Sequence, residues 1–187
     1  MIRFATHDTP IAGLKIIERK PLGDERGFLQ RLFCQESLAT LLGGRTIQQI
    51  NHTLTRHLGA VRGMHFQHPP HAEIKVVSCL KGKVWDVAVD LRKGSPSFLQ
   101  HHSVTLSEDV PQSFLIPEGF AHGFQALTPD CELIYVHTAD YNGAAEGGLN
   151  ALDPRLGIQW PIAVTELSKR DAEHPMLTDS FVGMDVA

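Results

Sequence analysis

The chain has 187 residues, enough for one domain with a core of its own. Hydrophobic residues make up 42% and charged residues 20%, which excludes a disordered or fibrous chain. The formal net charge of -4 offers no basic field, so no nucleic-acid or membrane partner is expected, and phosphates would have to be caught by local Arg and Lys.

Strand patterns dominate the chain. Residues 14–19 are apolar and β-branched, the turn Gly23-Asp24 follows, and 27–34 reads as the next strand. Residues 35–42 form two helical turns stopped by Gly43-Gly44. Strands are then predicted over 46–54, 61–67 and 74–80. Lys81-Gly82-Lys83 reads as a tight hairpin into a strand over 84–91. Gly94-Ser95-Pro96, Pro117-Glu118-Gly119 and Thr128-Pro129-Asp130 separate further strands over 102–106, 114–116, 123–127 and 132–137. From about Leu152 the chain is loop-rich and is expected to wrap the barrel, with Ser168 capping a late helical turn that contains Asp171. No internal repeat or domain boundary is visible. The expectation is an all-β fold, most simply a jelly-roll barrel with a few short helices, as a single domain over 1–187.

Cys34, Cys79 and Cys131 are widely spaced, and no C-x-x-C pair occurs, so neither a disulfide framework nor a zinc ribbon is suggested. His7 and Asp8 come early and no apolar h-region precedes them, so no signal peptide is expected. With no long apolar run, the expected location is cytoplasmic.

The informative cluster lies mid-chain: Arg62-Gly63-Met64-His65-Phe66-Gln67, then Lys75, then Pro117-Glu118-Gly119-Phe120-Ala121-His122-Gly123-Phe124. Such a set can take a proton from carbon and hold the charge that results. On a strand alternate residues share a face, so His65 points with Gly63 and Val61, or with Gln67. Alone, His65 is either a core histidine bonded to a carbonyl or a base. Arg62 and Lys75 beside it favour the base, because neither is readily buried without a ligand. Lys75 sits between Ile74 and Val76, either outward and solvated or inward, where its ammonium would stabilise an enolate oxygen. Asp171 is either a favourable first-turn carboxylate or the orienter of a His base. Tyr135 is either strand packing or a proton donor. Arg26 is either solvated or a phosphate clamp. No P-loop or Gly-rich dinucleotide fingerprint occurs.

Pro117-x-Gly119-x-x-His122 resembles the second motif of the cupin superfamily. The first cupin motif, with its H-x-H pair, is absent; the chain offers His65, His68, His71 and Glu73 instead. A metal-dependent cupin enzyme using His65, His71 and His122 is therefore one alternative. A non-catalytic sugar-binding jelly roll is another, disfavoured by the presence of His65, Lys75, Tyr135 and Asp171 together.

In order and spacing, the chain resembles the dTDP-4-dehydrorhamnose 3,5-epimerase family. The motifs are Asp24-Glu25-Arg26-Gly27-Phe28, the two central clusters, Asp86-Val87-Ala88-Val89-Asp90-Leu91-Arg92, Trp160-Pro161 and Leu167-Ser168-x-x-Asp171. The resemblance implies a cupin-like homodimer that inverts C3, C5 or both in a nucleotide-linked 4-keto-6-deoxyhexose, without metal or redox cofactor. It makes His65 the base, Asp171 its holder, Lys75 the support of the enolate oxygen and Tyr135 the proton donor on the opposite face. It places Arg62, His122 and Tyr141 around the sugar. It assigns Arg26, Phe28, Gln49 and Asn51 to the nucleotide, partly across the dimer interface. Departures from the family pattern include Gln30, Ile50, Glu73-Ile74, Pro69-Pro70-His71, His137 and Gly143.

Overall fold

The computed structural model describes residues 4–186. In chain order the strands are β1 (Phe4–Asp8), β2 (Lys15–Arg19), β3 (Leu22–Asp24), β4 (Gly27–Leu29), β5 (Gln49–Thr55), β6 (Val61–Gln67), β7 (Lys75–Lys81), β8 (Lys83–Asp90), β9 (His101–Ser107), β10 (Gln112–Ile116), β11 (Phe120–Ala126), β12 (Cys131–His137) and β13 (Glu146–Gly148). Two short helices, α1 (Gln35–Leu38) and α2 (Lys169–Ala172), complete the described elements. One antiparallel sheet runs β1-β2-β10-β7-β12-β5, and the other β13-β6-β11-β8-β9. The two pack face to face as a cupin-like jelly roll, which bears out the all-β expectation.

Alternation along each strand decides which side chains enter the barrel. Val77 and Cys79 of β7, Leu133 of β12 and Phe114 of β10 meet Val84 and Ala88 of β8 and Phe120 and Phe124 of β11 in the central core. The intervening Val76 and Val136 instead face outward, where α1 covers them with Leu38. Behind β6 and β8, Leu149, Leu156, Leu177 and Met184 close a third cluster, so the C-terminal stretch wraps the barrel as expected. Among the described residues no helix is long and apolar enough to cross a membrane.

Three expectations need correction. Residues 27–34 do not form one strand: β4 ends at Leu29 and pairs only with β3, in an exposed two-stranded hairpin. The turn at Gly82 does not make a hairpin, because β7 pairs with β10 and β12 while β8 pairs with β11 and β9. Gly82 has φ +75 and a Cβ there would meet Thr128 Oγ1 at 2.5 Å, so the chain turns sharply there to switch sheets. Residues 35–42 hold only a single helical turn, α1, followed by turns that end in Gly43 and Gly44 at positive φ.

Candidate active site

The barrel mouth is lined from both sheets. Lys75, Tyr135 and His137 enter from β7 and β12, on the same faces as the core residues Val77 and Leu133. His65 and His122 enter from β6 and β11 on the opposite wall. Thus Lys75 is inward, which settles what alternation left open.

His65 and Arg62 share the pocket although they are three positions apart. Alternation places His65 with Val61 and Gly63, or with Gln67; Gln67 does line the pocket, and a register shift takes Val61 and Gly63 out of that face. His122 pairs with His65 and Phe124 with Arg62, so β6 carries one extra residue over that stretch. The bulge centres on Gly63, at φ +129, where a Cβ would sit 2.5 Å from Gly123 Cα. Val61 turns instead into the outer cluster.

Asp171 Oδ1 lies 2.8 Å from His65 Nε2, and Oδ2 accepts the Gly63 N–H at 3.2 Å. Ser168 caps α2, accepting the Asp171 N–H at 3.0 Å, which fixes where the carboxylate points. Burial pushes the Asp171 carboxyl up, but bonds from His65, Gly63 and Ser168 outweigh burial and hold it at about 2. An ionised carboxylate only accepts, so His65 Nε2 carries a proton and Nδ1 is left as the basic nitrogen. Arg170 Nη2 stands 3.2 Å from His65 Nε2, with its Nη1 bonded to Glu146 at 3.1 Å.

On the facing wall, Lys75 Nζ is 3.2 Å from Glu73 Oε1 and donates to the His65 carbonyl at 3.4 Å. Glu73 Oε2 also lies 3.2 Å from His137 Nδ1. Burial raises the Glu73 carboxyl, and His137 and Lys75 more than offset it, so it stays below its ordinary value. The Tyr135 ring stacks on His137 and meets the edge of His122 at 5.9 Å. Burial first, and the Asp86 charge second, push the Tyr135 phenol well above its ordinary value, so it keeps its proton. His122 Nε2 is 2.8 Å from Asp86 Oδ1 inside the core. Burial raises the Asp86 carboxyl, with His122 and Lys75 opposing.

Gln49, Asn51, Arg62 and Tyr141 also line this pocket. Gln49 Oε1 accepts the Tyr141 N–H at 2.9 Å, and the Tyr141 hydroxyl donates to Glu146 at 3.1 Å. Arg26 and Phe28 are not brought to it. They sit on the β3–β4 hairpin, with Arg26 folded onto Asp24 at 2.6 Å and Phe28 73% exposed. The three-histidine set does not converge: His122 is held by Asp86, and His71 Nε2 accepts from Asn142 Nδ2 at 3.0 Å. Among the described residues, the His/Asp group whose ligand atoms come within 4.8 Å of one another is His65, Asp171 and His174.

Sequence reasoning missed Asp86, Glu73, Arg170 and His174 as site residues. Asp86 left a signal, since it is charged within an apolar strand and shares the inward face of Val84 and Ala88. His174 left none, because it lies in a loop whose position only the folded chain defines.

A jelly roll with this dyad at its mouth, facing a lysine and a tyrosine, belongs among the cupin-like nucleotide-sugar epimerases, which are isomerases. The family model for dTDP-4-dehydrorhamnose 3,5-epimerase matches residues 8–179. A dTDP-4-dehydrorhamnose 3,5-epimerase from Salmonella typhimurium strain LT2 is 40% identical over 176 residues, 93% of this chain and 96% of its own. The crystal structure of dTDP-6-deoxy-D-glucose-3,5-epimerase from Legionella pneumophila Philadelphia 1, in complex with dTDP-4-keto-L-rhamnose, superposes with TM-score 0.91 at 39% identity over 98% of this chain and 99% of that one. ChmJ, a 3'-monoepimerase from Streptomyces bikiniensis in complex with dTDP-quinovose, gives TM-score 0.84 at 33% identity over 91% and 86%. The chain belongs to the dTDP-4-dehydrorhamnose 3,5-epimerase family.

Proposed function

We propose that this chain inverts C3 and C5 of a dTDP-linked 4-keto-6-deoxyhexose, converting dTDP-4-dehydro-6-deoxyglucose to dTDP-4-dehydrorhamnose. The 4-keto group acidifies the hydrogens on both neighbouring carbons. His65 Nδ1 removes one, and Asp171 stabilises the imidazolium that forms. Lys75 supports the enolate oxygen, and Tyr135 returns a proton from the opposite face. The carrying observation is the placement of His65 and Tyr135 on opposite sheets across one pocket. A flat enolate between those walls loses its proton to one and regains it from the other, which is inversion. His122, Arg62 and Tyr141 surround the sugar, while Gln49 and Asn51 hold the nucleotide.

Arg26 and Phe28 belong to the nucleotide site through a homodimer, in which one protomer's hairpin reaches its partner's pocket. The hairpin's exposed apolar surface supports this: Phe28 and Leu29 are 73% exposed and Leu22 is 47%. Residues 1–187 act as one domain in the cytoplasm, where nucleotide sugars are made.

The test is proton NMR of dTDP-4-keto-6-deoxyglucose with enzyme in D₂O, beside His65→Asn. Deuterium entering at both C3 and C5 with the wild type, and about 10²–10⁴-fold more slowly with the variant, is expected. Entry at one carbon would make the chain a mono-epimerase. An undiminished rate in His65→Asn would remove His65 from the base role.

A further inference from the structure

His174 adjoins the His65–Asp171 dyad, and the chemistry above gives it no part. Its ring meets the edge of the His65 ring at 5.7 Å between centroids, inclined by 71°. Its Nε2 lies 4.0 Å from Asp171 Oδ1, the same oxygen that bonds His65. That nitrogen is buried and has no hydrogen-bond partner among the described residues.

The placement is built, and not incidental. Asn150 Nδ2 donates to the carbonyls of Ala172 at 3.1 Å and His174 at 3.4 Å, which ties the chain beyond α2 to the barrel. A Cβ at residue 148 would overlap the imidazole, so Gly148 on β13 leaves the notch that His174 fills. Desolvation first, and His65 second, lower the His174 pKa, which favours the neutral ring. A neutral imidazole beside a carboxylate takes the tautomer that turns N–H toward it. Nε2–H therefore faces Asp171.

We propose that His174 is a positioning residue for the base, its Nε2–H dipole restraining Asp171 and moderating the pull of that carboxylate on His65. Asp171 then sits between two imidazoles, and water is kept from its far side. His65 is held in orientation by a carboxylate whose own position is fixed. The inference rests on His65 acting as the base.

Other charges reach the same rings. Arg170 on α2 and Glu146 on β13 face both histidines, Lys75 on β7 reaches the His65 carbonyl, and His122 on β11 pairs with His65 in register. All are retained in the variants below, so their contribution is constant.

The two components of His174 separate cleanly. His174→Phe keeps the ring edge and removes the donor, while His174→Gln keeps a donor near Nε2 and removes the ring. Without the Nε2–H dipole 4.0 Å away, the carboxylate holds the His65 imidazolium more tightly. NMR titration of His65, its signal identified by loss in His65→Asn, is then expected to move up by about half a pH unit in the Phe variant. In the Gln variant it stays near wild type. The acid limb of kcat/KM moves with it, toward higher pH. Thermal melting of each variant reports folding separately. No movement of the His65 titration in a folded Phe variant, or equal movement in both variants, overturns the proposal. If the titration moves and the kinetic limb does not, His174 acts on Asp171 as stated and it is His65 as the base that fails.

Discussion

Replacing Asp171 with Asn should disable the enzyme more thoroughly than replacing it with Ala. In the wild type, Oδ2 accepts from the Gly63 N–H at 3.2 Å while Oδ1 faces His65 Nε2 at 2.8 Å. An amide at this site must keep its oxygen on Gly63, because turning its NH₂ there would bury two donors against each other, at about 1–3 kcal/mol. Its NH₂ therefore meets His65 Nε2, which must accept. The imidazole proton is forced onto Nδ1, the nitrogen that should receive the substrate proton. Alanine removes the Gly63 acceptor and the charged hydrogen bond to His65; the latter is worth about 1.5–3 kcal/mol, or roughly 10- to 150-fold in rate. Asparagine adds the tautomer penalty and should reach about 10³–10⁴-fold. The Ser168 bond to the Asp171 backbone survives both changes, so α2 keeps its cap. Steady-state kcat/KM from pH 5 to 9, with solvent exchange in D₂O, measures both variants. An Asn variant as active as the Ala variant, or more so, would refute the assignment of the tautomer and with it Nδ1 as the base.

Tyr135→Phe should leave deuterium exchange within about tenfold of wild type while epimerised product falls about 10²-fold or more, since only delivery to the second face is lost; equal loss of both would count against that division of labour. Burial raises the Asp90 and Asp171 carboxyls, but their hydrogen bonds prevail and hold both near about 2 in the folded chain. The unfolded chain takes up these protons near about pH 4, so their stabilisation is complete above that and is lost as pH falls toward 2. Thermal melts should drop steeply below about pH 4, and Asp90→Asn should flatten that dependence; an unchanged acid slope would contradict it. Gly63→Ala should lower stability by about 2 kcal/mol or more, because φ is +129 and the added Cβ meets the Gly123 backbone; an unshifted melting temperature would show that the bulge relaxes freely.

Much of this was legible in the residues. The strand signals over 74–80 and 84–91 are strong as continuous apolar runs, because each strand buries two faces, one in the barrel and one under α1 or the C-terminal wrap. Ser168 as a cap is a local rule, and it holds. Lys75 and Asp86 both read as charges stranded in apolar runs, but the role of Asp86 depends on His122, which only the fold brings beside it. The facing of His65 was not legible, because a bulge needs a partner strand to define it. The Gly82 turn fits a hairpin as well as a sheet switch, and only long-range pairing separates them. In the sequence, Glu73 and His137 are separate departures from the family pattern. In the fold they are one hydrogen-bonded pair on Lys75, joined by side chains 64 positions apart.

The dyad joins the middle of the barrel to a four-residue helix near the far end of the chain. This has a temporal consequence. During synthesis both sheets, from β1 to β13, leave the ribosome before Asp171 does, so the barrel can close around a histidine that has no carboxylate. On the proposed mechanism, the carboxylate that completes the dyad reaches a barrel whose sheets are already made. A protease that trims the wrap before Ser168 would leave much of the central core in place and turn the same barrel off.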